Sequence, residues 1–507
     1  MQTHREFTLP IVRPLSTAPT AHPAPDATPA PHATPAARFA ALQARMKTVD
    51  ATTLVVVPSR SPESREPEAK VQAYEERLLC VTQMLRDESL SIVYVTSSEV
   101  ATATVDYYLS LLPARLRWSA RRRLTMLSVG DASPRSLSAK VLVHPTLLDE
   151  IRAAVADPFA AQLVPYETTD RERDLALALD IPMYGADPRH RHLGTKSGCR
   201  ELFARVGAPH PLGVEHIAGT VEAIAAIAEL RARRPHIAQV VVKLNEGVSG
   251  RGNAIVELGG LPAPGAPDEL LRIRERLSAM ALEAPDLTVD TYLQRLSEGG
   301  GIVEERITGA DVRSPSVQLN ITPDSEVEIV STHDQLLGGP SGQSYRGCCF
   351  PAEPQYASRI TAIARQVGAE LARVGVIGRC AIDFVVTRDQ RGGWSAYAIE
   401  LNLRKGGTTH PFLTSSLLNG GDCGHYVASD HLPVDGLSGE GAIAMLADHG
   451  LSFDPGRRAG VVLHMLGAAP TLGLIGATAL APTAAEARAL YDRTAELMSG
   501  AARRVAA

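Results

Sequence analysis

Aromatic residues are scarce. Phe, Trp and Tyr make up 4% of the 507 residues, with only two tryptophans, which leaves few rings for a base-stacking surface. No block of positive charge is present either. Lys plus Arg number 51 against 56 Asp plus Glu, a net charge of −5, so a dedicated nucleic-acid binder is excluded. The six cysteines (Cys80, Cys199, Cys348, Cys349, Cys380, Cys423) form no CxxC pair and no Cys/His cluster with zinc-ligand spacing. Reduced thiols in a cytoplasmic protein are the expectation, and the N-terminus lacks the apolar run of a signal peptide. One long uncharged stretch, 460–482, is broken by His464 and Pro470 and is rich in Gly, Ala and Thr. It predicts a strand–turn–strand in a core rather than a membrane span. Lysine is the rarest cation. There are six (Lys47, Lys70, Lys140, Lys196, Lys243, Lys405) against 45 arginines, so each lysine is a candidate for a compact point charge.

What is present is ordinary globular material: 45% apolar, 21% charged, enough for about three domains at roughly 150 residues each. The first segment, dense in Pro, Ala and Thr as APTAHPAPDATPAPHATPAA, cannot bury enough surface to offset its ordering entropy. Residues 1–46 are assigned to a disordered tail, with a helix foreseen over 37–47; a docking role for the tail is the alternative. Residues 47–187 alternate apolar runs with a helical pattern. TTLVVVPS and LSIVYVTS read as strands, VQAYEERLLCVTQMLRD as a helix, and LTMLSVGD and AKVLVH as further short apolar runs. That alternation implies a βαβ domain on a parallel sheet. No GxGxxG follows the first strand, which argues against a dinucleotide site.

Residues 188–419 form a second unit. Cys199, Leu202, Phe203 and Val206 mark one helix face, and 220–234 reads as another helix. Strands at 238–244 and 253–258 flank a Gly-rich turn, and a strand-rich stretch follows, interrupted by a helix near 355–374. Residues 420–507 make a C-terminal extension with an apolar hairpin and a terminal helix at about 483–498.

Four constellations carry chemistry. In VVVKLNEGVSGRGNAIVEL a strand delivers Lys243, and Gly247, Gly250 and Gly252 form the turn with Ser249 among them. Glycines let backbone N–H groups approach phosphate oxygens, and Lys243 adds a point charge; a plain flexible turn is the alternative. In DFVV…AIELNLRKGG the hairpin turn TRDQRGG makes Asp383 and Glu400 cross-strand neighbours. Glu400 and Asn402, at i and i+2, share a face. Two carboxylates and an amide oxygen suit a hard cation such as Mg²⁺, or else form a solvated sheet face. Arg404 follows on the same parity. In GTKSGCRELF, Lys196 stands at a helix start, a place to hold phosphate. In GIVEERITGADV a strand ends in Glu304, Glu305, Ile307 and Asp311, with backbone groups suited to an adenine edge and a carboxylate suited to ribose.

In this order these motifs closely resemble the ATP-grasp superfamily over about 190–410. The flanks, STHDQLLGGPSGQSYRGCCFPA, ELNLRKGGTTHPF and GVVLHMLGAAPTLGLIGATALAPTAAEA, are similar to the pheganomycin-type peptide ligases. The resemblance implies an α/β and α+β architecture: an ATP-grasp fold with a lid subdomain at about 210–300, preceded by a βαβ pre-ATP-grasp domain and followed by a small α+β extension. It implies ATP and Mg²⁺ as cofactors, with Mn²⁺ as a substitute. Lys196 and Lys243 match the phosphate-binding lysines, the Gly247–Gly252 turn the phosphate lid, and Glu304, Glu305 and Ile307 the adenine hinge. Asp311 matches the ribose acid, Asp383, Glu400 and Asn402 the metal ligands, and Arg404 the arginine at the acyl phosphate. Gln335, Tyr345 and His410 are expected on the acceptor side, the first two from a loop at 331–352. Ala381-Ile382 stand where many ATP-grasp ligases carry a basic residue, leaving its oxyanion role to Arg379 or Arg404. The implied activity is ATP-dependent amide formation from a carboxylate and an amine through an acyl phosphate, in peptide natural-product synthesis. Implied partners are small amino-acid-like molecules and a second copy of the chain, with no membrane. A non-catalytic ATP-binding regulator, and an enzyme making an ester or acyl phosphate, are the alternatives.

Overall fold

A computed structural model describes residues 34–61, 68–247, 250–340, 342–434 and 436–505. The Pro/Ala-rich residues 1–33 and Ser249 lie outside them. Of the segment assigned to the tail, Pro35–Arg45 is a helix capped by Thr34, with Phe39 and Leu42 buried.

The first sheet holds β1 (Thr53–Val57), β2 (Ser91–Thr96), β3 (Leu124–Ser128) and β4 (Ala161–Pro165), all parallel in the order β3-β2-β1-β4. Alternate residues feed two cores. Leu54, Val56, Ile92 and Tyr94 enter one, and Val55, Val57, Val93 and Val95 the other. Burial on both faces is why these strands read as unbroken apolar runs. Two readings change. AKVLVH belongs to a helix, Leu137–Leu142, whose Leu137 and Val141 lie one turn apart against the sheet. The helical run foreseen at 71–87 is α-helical only to Glu75 and continues as a 3-10 helix over Glu76–Arg86.

The second sheet comprises β5 (Gly213–Ile217), β6 (Gln239–Leu244), β7 (Asn253–Glu257), β8 (Ala281–Leu282) and β9 (Gly301–Glu305), ordered β5-β9-β6-β7-β8. The helix Thr220–Arg233 buries Ala223, Ile227 and Leu230 in the core formed with Val240 and Val242.

The third sheet has nine strands: β10 (Asp311–Arg313), β11 (Pro315–Ile321), β12 (Val327–Gly338), β13 (Ser344–Phe350), β14 (Gly378–Arg388), β15 (Trp394–Asn402), β16 (His425–Pro433), β17 (Gly460–His464) and β18 (Leu474–Ala481). The path runs β10-β14-β11-β12-β13-β16-β18-β17, with β15 also on β14. The helix Pro354–Arg373 buries Ile360, Ala364, Val367 and Leu371 in the core with Val317, Leu319 and Ile382. The stretch 331–352, expected as a loop, is mostly the antiparallel pair β12–β13. The 460–482 stretch is the β17–β18 pair, buried in a core, and no helix among the described residues is long and apolar enough to cross a membrane. Through the β13–β16 ladder the C-terminal strands continue the large sheet.

Candidate active site

The hairpin β14–β15 places Asp383 directly opposite Glu400, with a register break just after Asp383. Asn402 lies two residues on from Glu400, and its Nδ2 donates to Asp383 Oδ2 at 3.0 Å. Gln335, on β12, donates to Asp383 Oδ1 at 2.7 Å. Lys196 opens the helix Lys196–Arg205 behind the cap Thr195, and its Nζ stands 2.6 Å from Glu400 Oε1. Burial and the neighbouring Glu400 push the Asp383 carboxyl up to about 7. Burial works the same way on Glu400 but is outweighed by Lys196, which holds that carboxyl below its usual range. A divalent cation would relieve the repulsion between the two carboxylates, and Asn402 Oδ1 adds a hard oxygen. This donor set fits Mg²⁺.

Lys243, next to last in β6, has its Nζ 2.6 Å from Glu304 Oε1. Arg200 holds the other oxygen of Glu304 at 2.8 Å. Glu305 pairs with Arg234 and accepts from Leu212 N–H at 3.0 Å. Both glutamate side chains are thus fixed inside the protein, and Glu304, Glu305 and Ile307 line the cleft. Asp311 does not line it: Arg313 Nε holds its carboxylate at 2.6 Å, with Val312 on the wall instead.

The turn after Lys243 closes tightly. A Cβ on Gly247 would meet Gly252 Cα at 3.2 Å, and one on Gly250, at φ +79°, would meet Gln343 O at 2.6 Å. Asn253 Nδ2 donates to Gln343 Oε1 at 2.8 Å, and Ser344 Oγ to Glu283 Oε1 at 2.6 Å. The glycine turn is therefore docked on the β12–β13 connection.

Two cavities, of about 510 and about 330 Å³, share Glu400, Asn402 and Arg404 in their walls. The larger takes in Lys243, Gly250, Glu304, Glu305, Ile307, Gln335, Tyr345 and Asp383; the smaller takes in Lys196, Gly247 and Gly252. Arg404 donates to Lys405 O at 3.0 Å. Arg379 is buried over the Phe412 ring and donates to Gln318, away from both cavities, so of the two candidates for the oxyanion Arg404 alone faces the cleft.

His410 is corrected. It is 2% exposed and lies behind the cleft wall. Its Nε2 is 3.2 Å from Asp430 Oδ1 and 3.0 Å from His464 Nε2, and His464 Nε2 is 2.7 Å from the same Oδ1. Arg77 pairs with Asp430 Oδ2 and stacks on Tyr74 at 3.7 Å. These donors hold the Asp430 carboxyl well below the carboxylate range against the effect of burial. Arg77, Asp430 and His464 were missed from sequence; an aspartate inside the apolar run HYVASDHLP is the one local signal.

A family described as "IQCH-like, ATP-grasp" matches residues 268–406, and one described as "PGM1 C-terminal domain" matches 441–494. The L-propargylglycine–L-glutamate ligase of Streptantibioticus cattleyicolor is 30% identical over 452 residues, covering 83% of this chain and 88% of that protein. The chain belongs to the ATP-grasp carboxylate–amine ligases. IQ motif-containing protein H of Danio rerio is 25% identical over 364 residues, 63% of this ligase and 34% of that protein. An ADP complex of N5-carboxyaminoimidazole ribonucleotide synthetase covers 89% of the ligase and 98% of its own chain at TM-score 0.53 and 10% identity. The Thermus thermophilus form covers 88% and 98% at TM-score 0.51 and 13% identity. Both show the ATP-grasp fold. Membership of this family makes ATP the co-substrate of the ligase.

Proposed function

We propose that this ligase joins a side-chain or main-chain carboxylate of a dicarboxylic amino acid to the α-amino group of a second amino acid or short peptide. It does so in the cytoplasm, as a homodimer, as a step in making a peptide natural product. The similarity to a ligase named for L-propargylglycine and L-glutamate supports the substrate class. The homodimer rests on the family resemblance alone, and the six free cysteines support the compartment. Residues 47–187, 188–419 and 420–507 are read as its three functional units.

The observation that carries the mechanism is the meeting of Asp383, Glu400, Asn402 and Arg404 where the two cavities join, with Lys196 against Glu400. The substrate carboxylate attacks the γ-phosphate of ATP, giving an acyl phosphate and ADP. Asp383, Glu400 and Asn402 would hold Mg²⁺, which supplies charge neutralisation at the phosphate oxygens. Lys196 and Lys243 hold phosphate oxygens, and the Gly247–Gly252 turn covers them. The strand end Glu304–Ile307 meets adenine. The amine then attacks the acyl carbon, and Arg404 stabilises the tetrahedral oxyanion, a contribution on the order of 3 kcal/mol. Gln335 orients Asp383, and Tyr345 shapes the acceptor wall. Docking of the glycine turn shields the acyl phosphate from water.

The test is incubation with Mg-ATP, the twenty common amino acids and L-propargylglycine, with nucleotides and new masses read together. ADP with a product equal to acid plus amine less one water is the expected result. AMP would mean adenylate chemistry and overturn the phosphate assignments; ADP without an amide mass would point to a carboxylate kinase.

A further inference from the structure

The second half-reaction poses a problem of proton transfer, and its treatment here rests on the ligase mechanism just proposed. At neutral pH an amino group is mostly ammonium, which has no lone pair with which to attack a carbonyl, so a base must take its proton. The titratable groups of the larger cavity can be taken in turn. Glu304 is paired with Lys243 and Arg200, Glu305 with Arg234, and Glu400 with Lys196. Asp383 accepts from Gln335 and Asn402, Asp430 is held by Arg77 and two histidines, and Glu167 accepts from Ser61 N–H. Tyr74 lies under the Arg77 guanidinium, Tyr166 Oη accepts from Arg77, and burial pushes the Tyr345 phenol well above its ordinary value. The imidazole in this wall is that of His431, which is half-buried.

Its placement follows from the sheet. The β16–β18 ladder runs to Ser429↔Ala477 and resumes at Leu432↔Ile475, so Asp430 and His431 together face Gly476 alone. Such a bulge re-aims side chains. Here both side chains reach the cleft wall, Asp430 tied to Arg77 and two histidines and His431 beside it. The backbone is pinned: His431 N–H donates to Ser429 Oγ at 3.1 Å, and that hydroxyl donates to Arg346 O at 2.8 Å. Among the described residues no group hydrogen-bonds the ring itself. We propose that His431 is the base that takes the proton from the incoming amine.

Burial and the cations Arg346, Arg77 and Lys70 outweigh the adjacent Asp430 and hold the imidazole below its ordinary range, so it stands unprotonated at pH 7. His431 takes one proton from the ammonium, the freed lone pair forms the C–N bond, and the second N–H proton leaves with the departing phosphate. The tetrahedral intermediate then collapses, the carbon–oxygen bond to the phosphoryl group breaks, and phosphate leaves with that electron pair. The imidazolium returns its proton to solvent.

The test compares two acceptors in the full-length protein with Mg-ATP and L-glutamate. Hydroxylamine is largely unprotonated at pH 7 and needs no base; L-propargylglycine does. In His431→Asn the amide should form about 10²-fold more slowly, while hydroxamate and ADP form within about threefold of the wild-type rate. The amide deficit should shrink as pH rises and free amine accumulates. Hydroxamate formation also reports that the variant is folded, and His431→Gln serves as a second variant. Amide synthesis at the wild-type rate, or equal loss with both acceptors, would overturn the assignment. A wild-type protein that yields neither product from either acceptor would instead overturn the substrate reading on which it rests.

Discussion

Two carboxylates on one sheet, one buried and one in the cleft wall, have opposite fates. Asp430 meets an arginine and two imidazoles, all from this chain, and its carboxyl is driven down. Asp383 meets a second carboxylate and two amide N–H groups, Lys196 and Arg404 only partly offset burial, and its carboxyl is driven up to about 7. The same functional group is finished in one place and left wanting positive charge in the other. Cost decides which is structural: an unmatched buried charge persists only where something from outside completes it.

The contrast can be broken at either end. The largest effect is expected from Glu400→Gln. ADP release should fall by at least about 10³-fold because the divalent site and the partner of Lys196 go together, while circular dichroism and the melting temperature stay near wild type. A turnover rate close to wild type would dismiss the metal assignment. Next comes Arg77→Ala, which strands Asp430 in the interior. Breaking a buried pair costs about 3–5 kcal/mol, read as a lower denaturant midpoint, and an unchanged midpoint would show that the histidines alone satisfy Asp430.

A pH series sharpens the comparison further. With a folded pKa raised to about 7 from 3.8, Asp383 binds more protons in the folded than in the unfolded state between those values. Its contribution to stability therefore falls as pH rises from about 4 to 7. Mg²⁺ favours the ionised form, so Mg²⁺ should raise the melting temperature more at pH 7.5 than at pH 5, and Asp383→Asn should remove that difference. Asp430 has the opposite sign. Its pKa is depressed, so its contribution is complete above about 4 and is lost only in stronger acid. The smallest effect is expected from His464→Asn, which removes one imidazole N–H from Asp430. A loss of about 1–2 kcal/mol with ADP release within about twofold of wild type should be seen; a large drop in rate would give His464 a role in the chemistry.

Much of this was legible in the residues. TLVVV and VVVKL are strands because β-branched runs fit a pleated, buried surface. The turn DQRGG brings Asp383 and Glu400 near each other across β14 and β15, and the register break after Asp383 sets them directly opposite. SYRGCCF was not legible as a strand because its Gly, Ser and Cys residues carry little strand preference, and only its neighbours β12 and β16 hold it extended. AKVLVH showed only an apolar run, because a helix less than two turns long has too few residues to reveal its period. Arg77 and Asp430 stand 353 positions apart, and no local pattern announces such a pair. His431 was hidden for a related reason: its aim depends on a bulge, which is a property of two strands and not of one.

The ladder between β13 and β16 has a practical meaning for anyone trimming this gene. A version ending at residue 419 would not be a smaller ligase. It would carry β13 as a raw, unpaired edge, with Cys348 and Phe350 facing solvent where the last three strands had covered them. Such an edge recruits strands from other copies, so the expected product is an insoluble precipitate. Domain exchange between relatives should therefore cut before β10, where the connection crosses no ladder, and carry everything after it as one piece.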